Sequence, residues 1–218
     1  MSQSTVTAEF PTRQAQKSDQ TRRAILEAAI QCLAEAGYTK STMTAIAKRA
    51  GLSRGAMQYH FETMQDVLLA TIEYIQTSRV AELTADGRRT ASQGPGEDRF
   101  EDRVAALWAF LHEPASIAFF ELAVASRSDS GLNATMQSAQ GRFWERWVSA
   151  ALDAYPEWQD KRVELELACG FSQTLLEGLR LRDMTGQTNP ALSLALRDYL
   201  SVCIRDIFEN GSASTRFL

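Results

Sequence analysis

The chain has 218 residues, 44% of them hydrophobic, which suffices for a globular protein with a sizeable core. Proline is scarce, whereas Ala, Leu, Glu and Arg are plentiful, so the composition favours an all-α fold over a sheet protein. The formal net charge of −4 divides unevenly: residues 1–60 hold eight Lys or Arg against four Asp or Glu, and residues 61–218 hold 15 against 23. A basic end on an acidic body predicts a polyanion partner at that end only.

The amino-terminal residues 1–17 are predicted to form a mobile arm, because they lack apolar periodicity and are rich in Ser, Thr and Gln. They contain no apolar run behind a basic segment, so we predict no signal peptide and a cytoplasmic location. A first helix should follow, with Ser18 or Asp19 as its cap and Gly37 at its end.

Two short helices joined by a tight turn are predicted next. Thr42 can cap the first helix and Ser53 the second, since hydroxyl oxygens accept from free backbone N–H groups. Gly51 supplies the turn, where a positive φ is readily adopted only by glycine. Leu52 and Met57 flank the second cap at the spacing with which two apolar residues staple the start of a helix.

The rest of the chain predicts six more helices. Thr63 and Asp66 form a capping pair that starts the fourth helix, which should run to about Asp86. A loop at residues 87–98 follows. Apolar periodicity then returns at residues 98–112, 115–126, 132–154, 159–184 and 190–209. The prediction is therefore about nine helices.

The most apolar window, residues 104–124, contains charged residues and Pro114, which excludes a membrane span of about 20 residues. It predicts two buried helices broken at the proline. Cys32, Cys169 and Cys203 are far apart and lie among apolar residues at helical spacing, which is typical of buried free thiols. The chain has no CxxC pair and only two histidines, so we predict no metal site and no cofactor.

The two short helices fit a helix-turn-helix, whose second helix enters a DNA major groove about 12 Å wide. Ala47 would lie where the two helices cross, and a larger side chain would push them apart. The second helix combines small residues, which let the backbone approach the duplex, with side chains that can contact phosphates or base edges. The predicted DNA-binding residues are Thr42, Thr44, Lys48, Ser53, Arg54, Gly55, Ala56, Gln58, Tyr59 and His60.

Residues 20–70 resemble the tetracycline-repressor (TetR) family of bacterial transcriptional regulators. "RRAILEAAIQCLAEAGY" is similar to the family's first helix, "STMTAIAKRAGLSRGAMQYHF" to its helix-turn-helix and "DVLL" to the opening of its fourth helix. The resemblance implies recognition-helix positions near DNA and backbone contacts on the preceding helix; these are Ser53, Gly55, Ala56, Tyr59 and His60, and Thr42 and Thr44, respectively. It also implies a DNA-binding domain at residues 18–65 and a ligand-binding and dimerisation domain at residues 66–218.

Two positions depart from the family pattern. Gln58 stands where an aromatic residue is common, and Met64 stands where "HFxxK" would place a lysine. Losing a lysine should remove one phosphate contact and flatten the dependence of log affinity on log salt by about one unit. Gln58 can instead pair with an adenine edge through its amide.

The acidic body should hold an apolar effector cavity and a dimer interface, as the resemblance implies. Aromatic residues at helical spacing, with two polar residues, are the candidate ligand contacts: Trp108, His112, Phe119, Phe120, Glu121, Trp144, Trp147 and Phe171. Small residues in the eighth helix and near-heptad apolar residues in the ninth predict a partner helix; they are Gly170, Thr174, Gly178, Leu192, Leu196, Tyr199 and Cys203.

We therefore predict a ligand-responsive repressor that binds a palindromic DNA operator as a homodimer. One alternative is a TetR-like protein that acts through a protein partner without operator binding. A helical-bundle enzyme is a further alternative, although the sequence has no Glu-x-x-His pair, no GxSxG elbow and no GxxxxGK loop.

Overall fold

Helices make up most of the chain in the computed structural model, which describes residues 13–93, 99–155, 158–187 and 189–210, without the side chains of residues 86–93 and 99. These ranges contain nine α-helices and one 3₁₀ turn, Tyr38–Lys40. The prediction of an all-α fold with about nine helices is confirmed. The helices are α1 (Arg13–Ala36), α2 (Met43–Arg49), α3 (Arg54–His60), α4 (Met64–Gln93), α5 (Arg99–Phe110), α6 (Pro114–Ser126), α7 (Ser130–Ala154), α8 (Arg162–Met184) and α9 (Pro190–Glu209).

The first helix begins earlier than predicted. α1 starts at Arg13, so residues 13–17 of the predicted arm are helical, and Ser18 and Asp19 lie inside the helix instead of capping it. Residues 13–17 are exposed, but most of them are good helix formers, and extending a helix that is already nucleated costs little. Residues 1–12 lie outside the described part of the chain.

The turn after α1 uses glycine as predicted. Gly37 has a φ of 78°, and its N–H donates to the carbonyl of Leu33 at 3.0 Å, which satisfies one carbonyl at the end of the helix. The left-handed φ redirects the chain into the 3₁₀ turn and then into α2. Any residue with a Cβ would be strained at this position.

Buried apolar side chains form three clusters. The reading cluster joins α1, α2, α3 and the start of α4 through Ile25, Leu26, Ala28, Ala29, Cys32, Ile46, Ala47, Met57, Phe61, Val67 and Ala70. The middle cluster joins α1, α4, α6 and α7 through Ile30, Leu33, Leu68, Ile72, Ile75, Ala118, Leu122, Leu132, Met136 and Ala139. The body cluster joins α5, α7, α8 and α9 through Val104, Leu111, Val148, Ala151, Tyr155, Trp158, Leu165, Ala168, Leu176, Leu179, Leu200, Ile204 and Phe208.

Helix α4 connects these clusters. It starts with the predicted capping box: the N–H of Thr63 donates to Asp66 Oδ2 at 2.9 Å, and the N–H of Asp66 donates to Thr63 Oγ1 at 3.1 Å. Its 30 residues run to Gln93, past the predicted end at Asp86, so much of the predicted loop at residues 87–98 is helical. Residues 87–93 contain no proline to stop the helix. Residues 94–98 lie outside the described part of the chain.

A polar contact links the turn after α1 to the body. The N–H of Tyr38 donates to Glu121 Oε2 on α6 at 3.2 Å, and the Tyr38 hydroxyl donates to Asp129 Oδ2 at 2.9 Å. Asp129 also caps α7 by accepting from the N–H of Leu132 at 2.9 Å. These bonds hold the pKa of the Asp129 carboxyl below its ordinary value, because the backbone bond to Leu132 and the Tyr38 hydroxyl both favour the charged form.

The chain breaks between α5 and α6 at Pro114, as predicted. Among the described residues no single helix is long and apolar enough to cross a membrane. α5 and α6 together reach the required length and composition from Phe100 to Ser126, but a bend of 67° separates them.

The three cysteines are free thiols, and only one of them is fully buried. Cys32 lies in the reading cluster, and burial raises the pKa of its thiol. Cys169 and Cys203 are half-buried, so the prediction that all three are buried was wrong for these two. Cys203 lies on a side of α9 that the body cluster only partly covers, whereas Cys169 lies beside an internal cavity.

Candidate nucleic-acid interface and central cavity

Buried side chains fix the position of the helix-turn-helix. Met57 and Ile46 are fully buried, and Ala47, at 2% exposure, packs in the same cluster where α2 meets α3. Gly51 has a φ of 70°, which confirms the predicted left-handed turn. Leu52 packs against the cluster that contains Met57, consistent with the predicted staple. The recognition helix α3 is therefore fixed relative to α2.

Both short helices carry the predicted caps. Thr42 Oγ1 accepts from the N–H of Ala45 at 3.2 Å, and Ser53 Oγ accepts from the N–H of Ala56 at 3.1 Å. Each bond satisfies one of the backbone donors that a helix start leaves free. Remaining N–H groups at these exposed helix starts can bind phosphate oxygens.

Replacing Ser53 by Ala should remove the α3 cap and lower the free energy of unfolding by about 1 kcal/mol. DNA affinity should fall as well, because α3 would fray where its backbone faces the duplex. Urea unfolding followed by circular dichroism measures the first effect, and a gel shift measures the second. Thr185→Ala is the control, because this substitution also removes a hydroxyl group that bonds to the backbone, at the carboxyl end of α8. Equal DNA affinity for Ser53→Ala and the unaltered protein would contradict the prediction.

The ten predicted DNA-binding residues lie on α2 and α3 or at the caps that start these helices. All are exposed except His60, which is half-buried. Tyr59 is 83% exposed, and its ring meets the His60 ring edge to face at 5.3 Å. A large aromatic side chain held out in water has no role in the core. These residues are Thr42, Thr44, Lys48, Ser53, Arg54, Gly55, Ala56, Gln58, Tyr59 and His60.

The positively charged side chains near α2 and α3 differ in whether they already have a partner within the protein. Arg49 forms an ion pair with Glu35, so its charge is partly offset. Arg22 donates to the carbonyl of His60 at 3.5 Å and lies 4.2 Å over the ring of Phe61, which steadies the end of α3. Lys48 and Arg54 form no ion pair with any described carboxylate. Their positive charge is the part of this surface that is free to meet phosphate.

The two departures from the family pattern have different surroundings. Gln58 is exposed on α3 beside Tyr59. Met64 is half-buried at the start of α4 and packs against both the reading cluster and the middle cluster. Met64 thus contributes to packing where a lysine would have pointed to solvent.

A cavity of about 400 Å³ lies in the body, bounded by the later part of α4 and by α5, α7, α8 and α9. Its wall is largely aromatic and apolar, with a few polar side chains. The lining residues are Arg79, Glu82, Leu83, Phe100, Arg103, Val104, Ala106, Leu107, Phe110, Phe143, Trp144, Trp147, Ala151, Tyr155, Trp158, Leu165, Ala168, Cys169, Ser172, Gln173, Ile204 and Phe208.

Two arginines lie in this apolar wall. The Arg79 guanidinium stands 4.9 Å from the Phe110 ring centre, 5.2 Å from that of Phe143 and 5.4 Å from that of Trp147. The enclosure lowers the pKa of Arg79, since burial disfavours its charge. Arg103 lies 4.0 Å over the ring of Tyr155, and this residue is the second cation in the wall. Cation–π contacts of this kind stabilise a guanidinium away from water.

Only part of the predicted ligand set borders the cavity. Trp144 and Trp147 line it, whereas Trp108, His112, Phe119, Phe120, Glu121 and Phe171 do not. Their actual contacts explain the difference. Glu121 bonds to Tyr38, and His112 Nδ1 lies 2.9 Å from the Trp108 carbonyl oxygen. Phe119 packs against the middle cluster, Phe120 and Trp108 pack against the outside of the body cluster, and Phe171 is exposed.

The predicted dimer residues divide in a similar way. Thr174, Gly178, Leu192 and Tyr199 are exposed. Leu196 packs against the body cluster, and Gly170 and Cys203 are half-buried, so the heptad assigned to α9 is displaced around the helix axis. The apolar residues exposed on α8 and α9 are Val163, Phe171, Leu181, Met184, Leu192, Leu194, Tyr199 and Val202.

Arg79 and Arg103 were missed because charges on helices usually face solvent. Their spacing carried a signal. Ile72, Gln76 and Arg79 occur at the intervals that place residues on one helix face, and the first two are buried. A single cation on the buried face of a helix, as Arg79 is on α4, is less typical of a surface charge than of a lined cavity.

Comparison with known proteins identifies the helix-turn-helix. The sequence model of bacterial regulatory proteins of the tetR family matches residues 25–71. An uncharacterized HTH-type transcriptional regulator of Mycobacterium tuberculosis is 30% identical over 156 residues, which cover 66% of this chain and 75% of the relative. SrpR of Pseudomonas putida, an HTH-type transcriptional regulator, is 28% identical over 182 residues, which cover 79% of this chain and 82% of SrpR.

A solved structure shares the whole fold. The multidrug binding protein EbrR, crystallised with ethidium, superposes with a TM-score of 0.58 at 17% sequence identity, over 85% of this chain and 96% of that one. Both sequence relatives are regulators of transcription, and the family is defined by the same DNA-reading helices. The chain belongs to the tetR family of bacterial regulatory proteins, and it is a transcriptional regulator rather than an enzyme.

Proposed function

We propose that this protein is a ligand-responsive repressor, which binds a palindromic operator as a homodimer and releases it when a small apolar or amphipathic molecule fills the cavity. One observation carries the proposal. Helix α4 contributes Val67 and Ala70 to the reading cluster and Arg79, Glu82 and Leu83 to the cavity wall. A ligand that displaces the later turns of α4 therefore acts directly on an element that supports α3.

The division of labour follows the charge and packing of the chain. Residues 18–65 are proposed as the DNA-binding domain, with α1 extending it to Arg13, and residues 66–218 as the ligand-binding and dimerisation domain. The DNA contacts proposed are the ten residues of the helix-turn-helix surface. Of the earlier ligand candidates, Trp144 and Trp147 are retained, because they line the cavity.

The exposed apolar face of α8 and α9 supports a homodimer. The space that a Cβ would occupy at Gly170 or Gly178 has no neighbouring side chain within 4 Å, so a second helix can approach the α8 backbone. Leu192, Tyr199 and Val202 supply apolar area on α9. A two-fold axis would pair this face with its own copy, and two recognition helices would then read half-sites about one helical turn, ~34 Å, apart.

Ligand and DNA would select different forms of the dimer. EbrR, a multidrug binding protein of the same fold, was crystallised with ethidium, and this supports a small-molecule site in the proposed repressor. A coupling free energy of about 1–3 kcal/mol suffices to change operator affinity by roughly 5- to 150-fold. Linkage then requires operator to weaken ligand binding by the same factor.

The proposal is tested by a gel shift with the DNA that flanks the gene, followed by footprinting of any shifted band and by selection from random duplexes. We expect a protected palindrome whose affinity falls with salt, because phosphate contacts release counterions. Arg54→Ala and Tyr59→Ala should each weaken binding by roughly 10-fold or more. Arg142→Ala, which removes an exposed arginine on α7, is the matched control.

Absence of any selected sequence would overturn operator binding and favour action through a protein partner. Gln58→Ala separates base reading from backbone contact. If Gln58 reads an adenine, the variant should lose discrimination at one operator position and keep its affinity for unrelated DNA. Equal weakening on all sequences would contradict base reading by Gln58.

A further inference from the structure

The largely apolar wall of the cavity includes two positively charged side chains. Arg79 and Arg103 both line it, whereas Glu82 is the single carboxylate among the described lining residues. Burying a guanidinium whose N–H donors have no hydrogen-bond partner costs several kcal/mol in general, and Arg79 makes no hydrogen bond or ion pair with any described residue, although aromatic rings surround it. We infer that the cavity takes an organic anion, an aromatic or alicyclic carboxylate, whose carboxylate meets Arg79 and whose ring lies among the tryptophans.

The surroundings of Arg79 support this assignment. Phe110, Phe143 and Trp147 surround the guanidinium, and it makes no hydrogen bond or ion pair with any described residue. Glu82 and Glu177 are its acidic neighbours, but neither pairs with it among the described side chains. The planar fork of N–H donors on Arg79 is therefore available to the cavity, and this fork matches a carboxylate with two parallel bonds.

The nearby carboxyl groups do not pair with Arg79. Burial raises the pKa of Glu177, and burial together with the charge of Glu113 raises the pKa of Glu82. Neither group forms an ion pair with Arg79, so these carboxylates do not take up the N–H donors of its guanidinium. A cationic ligand would meet two guanidinium groups at short range and would be disfavoured.

The volume of the cavity and its aromatic lining limit the size and shape of the ligand. A cavity of about 400 Å³ falls at the small end of ligand pockets, which run from roughly 300 to 1,000 Å³. Trp144, Trp147 and Trp158 provide flat apolar surfaces for one or two fused rings. This inference rests on the proposal that the cavity is the effector site, and it adds the charge and shape of the effector.

The test uses matched ligands that differ only in charge. 2-Naphthoate, 2-naphthamide and 2-naphthylmethylammonium share one ring system, and benzoate, benzamide and benzylammonium provide a smaller set. Quenching of tryptophan fluorescence in the full-length protein measures binding, because three of the four tryptophans line the cavity. We expect at least one carboxylate to bind about 10- to 100-fold more tightly than its amide, and the ammonium compounds to bind weakest.

Substitutions of Arg79 and Arg103 test which arginine pairs with the carboxylate of the ligand. Arg79→Gln should reduce carboxylate affinity to that of the amide while leaving amide affinity unchanged, and Arg79→Lys should retain part of the preference. The unchanged amide affinity shows that the cavity is still folded. Arg142→Gln, an exposed arginine outside the wall, is the control. Arg103→Gln is expected to give a smaller loss than Arg79→Gln.

The inference would be overturned by amides or ammonium compounds that bind as tightly as the carboxylates, or by an Arg79→Gln variant that keeps the carboxylate preference. Carboxylates that fail to bind in both sets would also overturn it. None of these measurements involves DNA. A gel shift with no operator would defeat the proposed repressor function and leave the ligand class standing, so the two failures are distinguishable.

Discussion

Replacing Val202 by Glu should convert the proposed dimer to a folded monomer and lower affinity for the proposed operator by roughly 10²- to 10⁴-fold, since two linked half-site contacts become one. Val202 is 52% exposed on α9, beside Tyr199 at 65% exposure, so a carboxylate there is tolerated in the free chain. In a two-fold interface the same position occurs on both subunits, and two buried carboxylates near the axis repel each other without compensation. Sedimentation equilibrium and a gel shift measure the two effects.

Val124→Glu is the matched control for this substitution. Val124 is 70% exposed, and it lies on α6, which packs against α1 and α7. The same chemical change there should alter neither the mass of the assembly nor operator affinity. A Val202→Glu protein that sediments as a dimer would contradict the assignment of the α8 and α9 face, even if DNA binding were lost.

Replacing Met57 by Ala should destabilise the helix-turn-helix by about 2–5 kcal/mol, because Met57 is fully buried and its removal leaves a cavity among α1, α2 and α4. The four tryptophans, Trp108, Trp144, Trp147 and Trp158, all lie in the body. Tryptophan fluorescence therefore reports the unfolding of the body, whereas far-ultraviolet circular dichroism reports all helices. In urea the variant should show a circular dichroism transition that begins earlier than the fluorescence transition.

Met57→Leu conserves volume and should cost less than about 1.5 kcal/mol, with the two transitions remaining close together. If Met57→Ala shifts both signals equally, the reading cluster and the body unfold as one unit, and the separate domains proposed here would be rejected. Ligand binding near room temperature should survive in Met57→Ala, because no cavity residue belongs to the reading cluster.

The sequence predicted the parts of the molecule that depend on local rules. Thr42, Ser53 and Gly51 act as expected because capping and left-handed turns involve residues only a few positions apart. The bounds of α5 to α9 also agree with apolar periodicity to within a few residues. The start of α1 lies earlier and the end of α4 lies later than predicted, since residues 13–17 and 87–93 contain no proline to stop a helix and helix extension is inexpensive.

The residues that line the cavity could not be predicted from apolar periodicity alone. Phe119 and Trp144 look alike as apolar positions on amphipathic helices, yet Phe119 packs in the middle cluster and Trp144 lines the cavity. The difference is set by how α6 and α7 pack against α4, a tertiary arrangement. For the same reason Arg79 looked like a surface charge, and Glu121 looked like a ligand contact when its carboxylate binds the backbone of Tyr38.

The buried residues that shape the recognition helix and those that line the cavity form two sets with no member in common. Substitutions at distant sites without shared partners combine almost additively. In the proposed repressor, a change of effector through new side chains on α5, α7 or α8 can therefore accumulate without altering the operator that is read, and the reverse also holds. The chemical signal and the target gene of the proposed repressor can thus change in separate evolutionary steps, provided that α4, which contacts both sets, is kept.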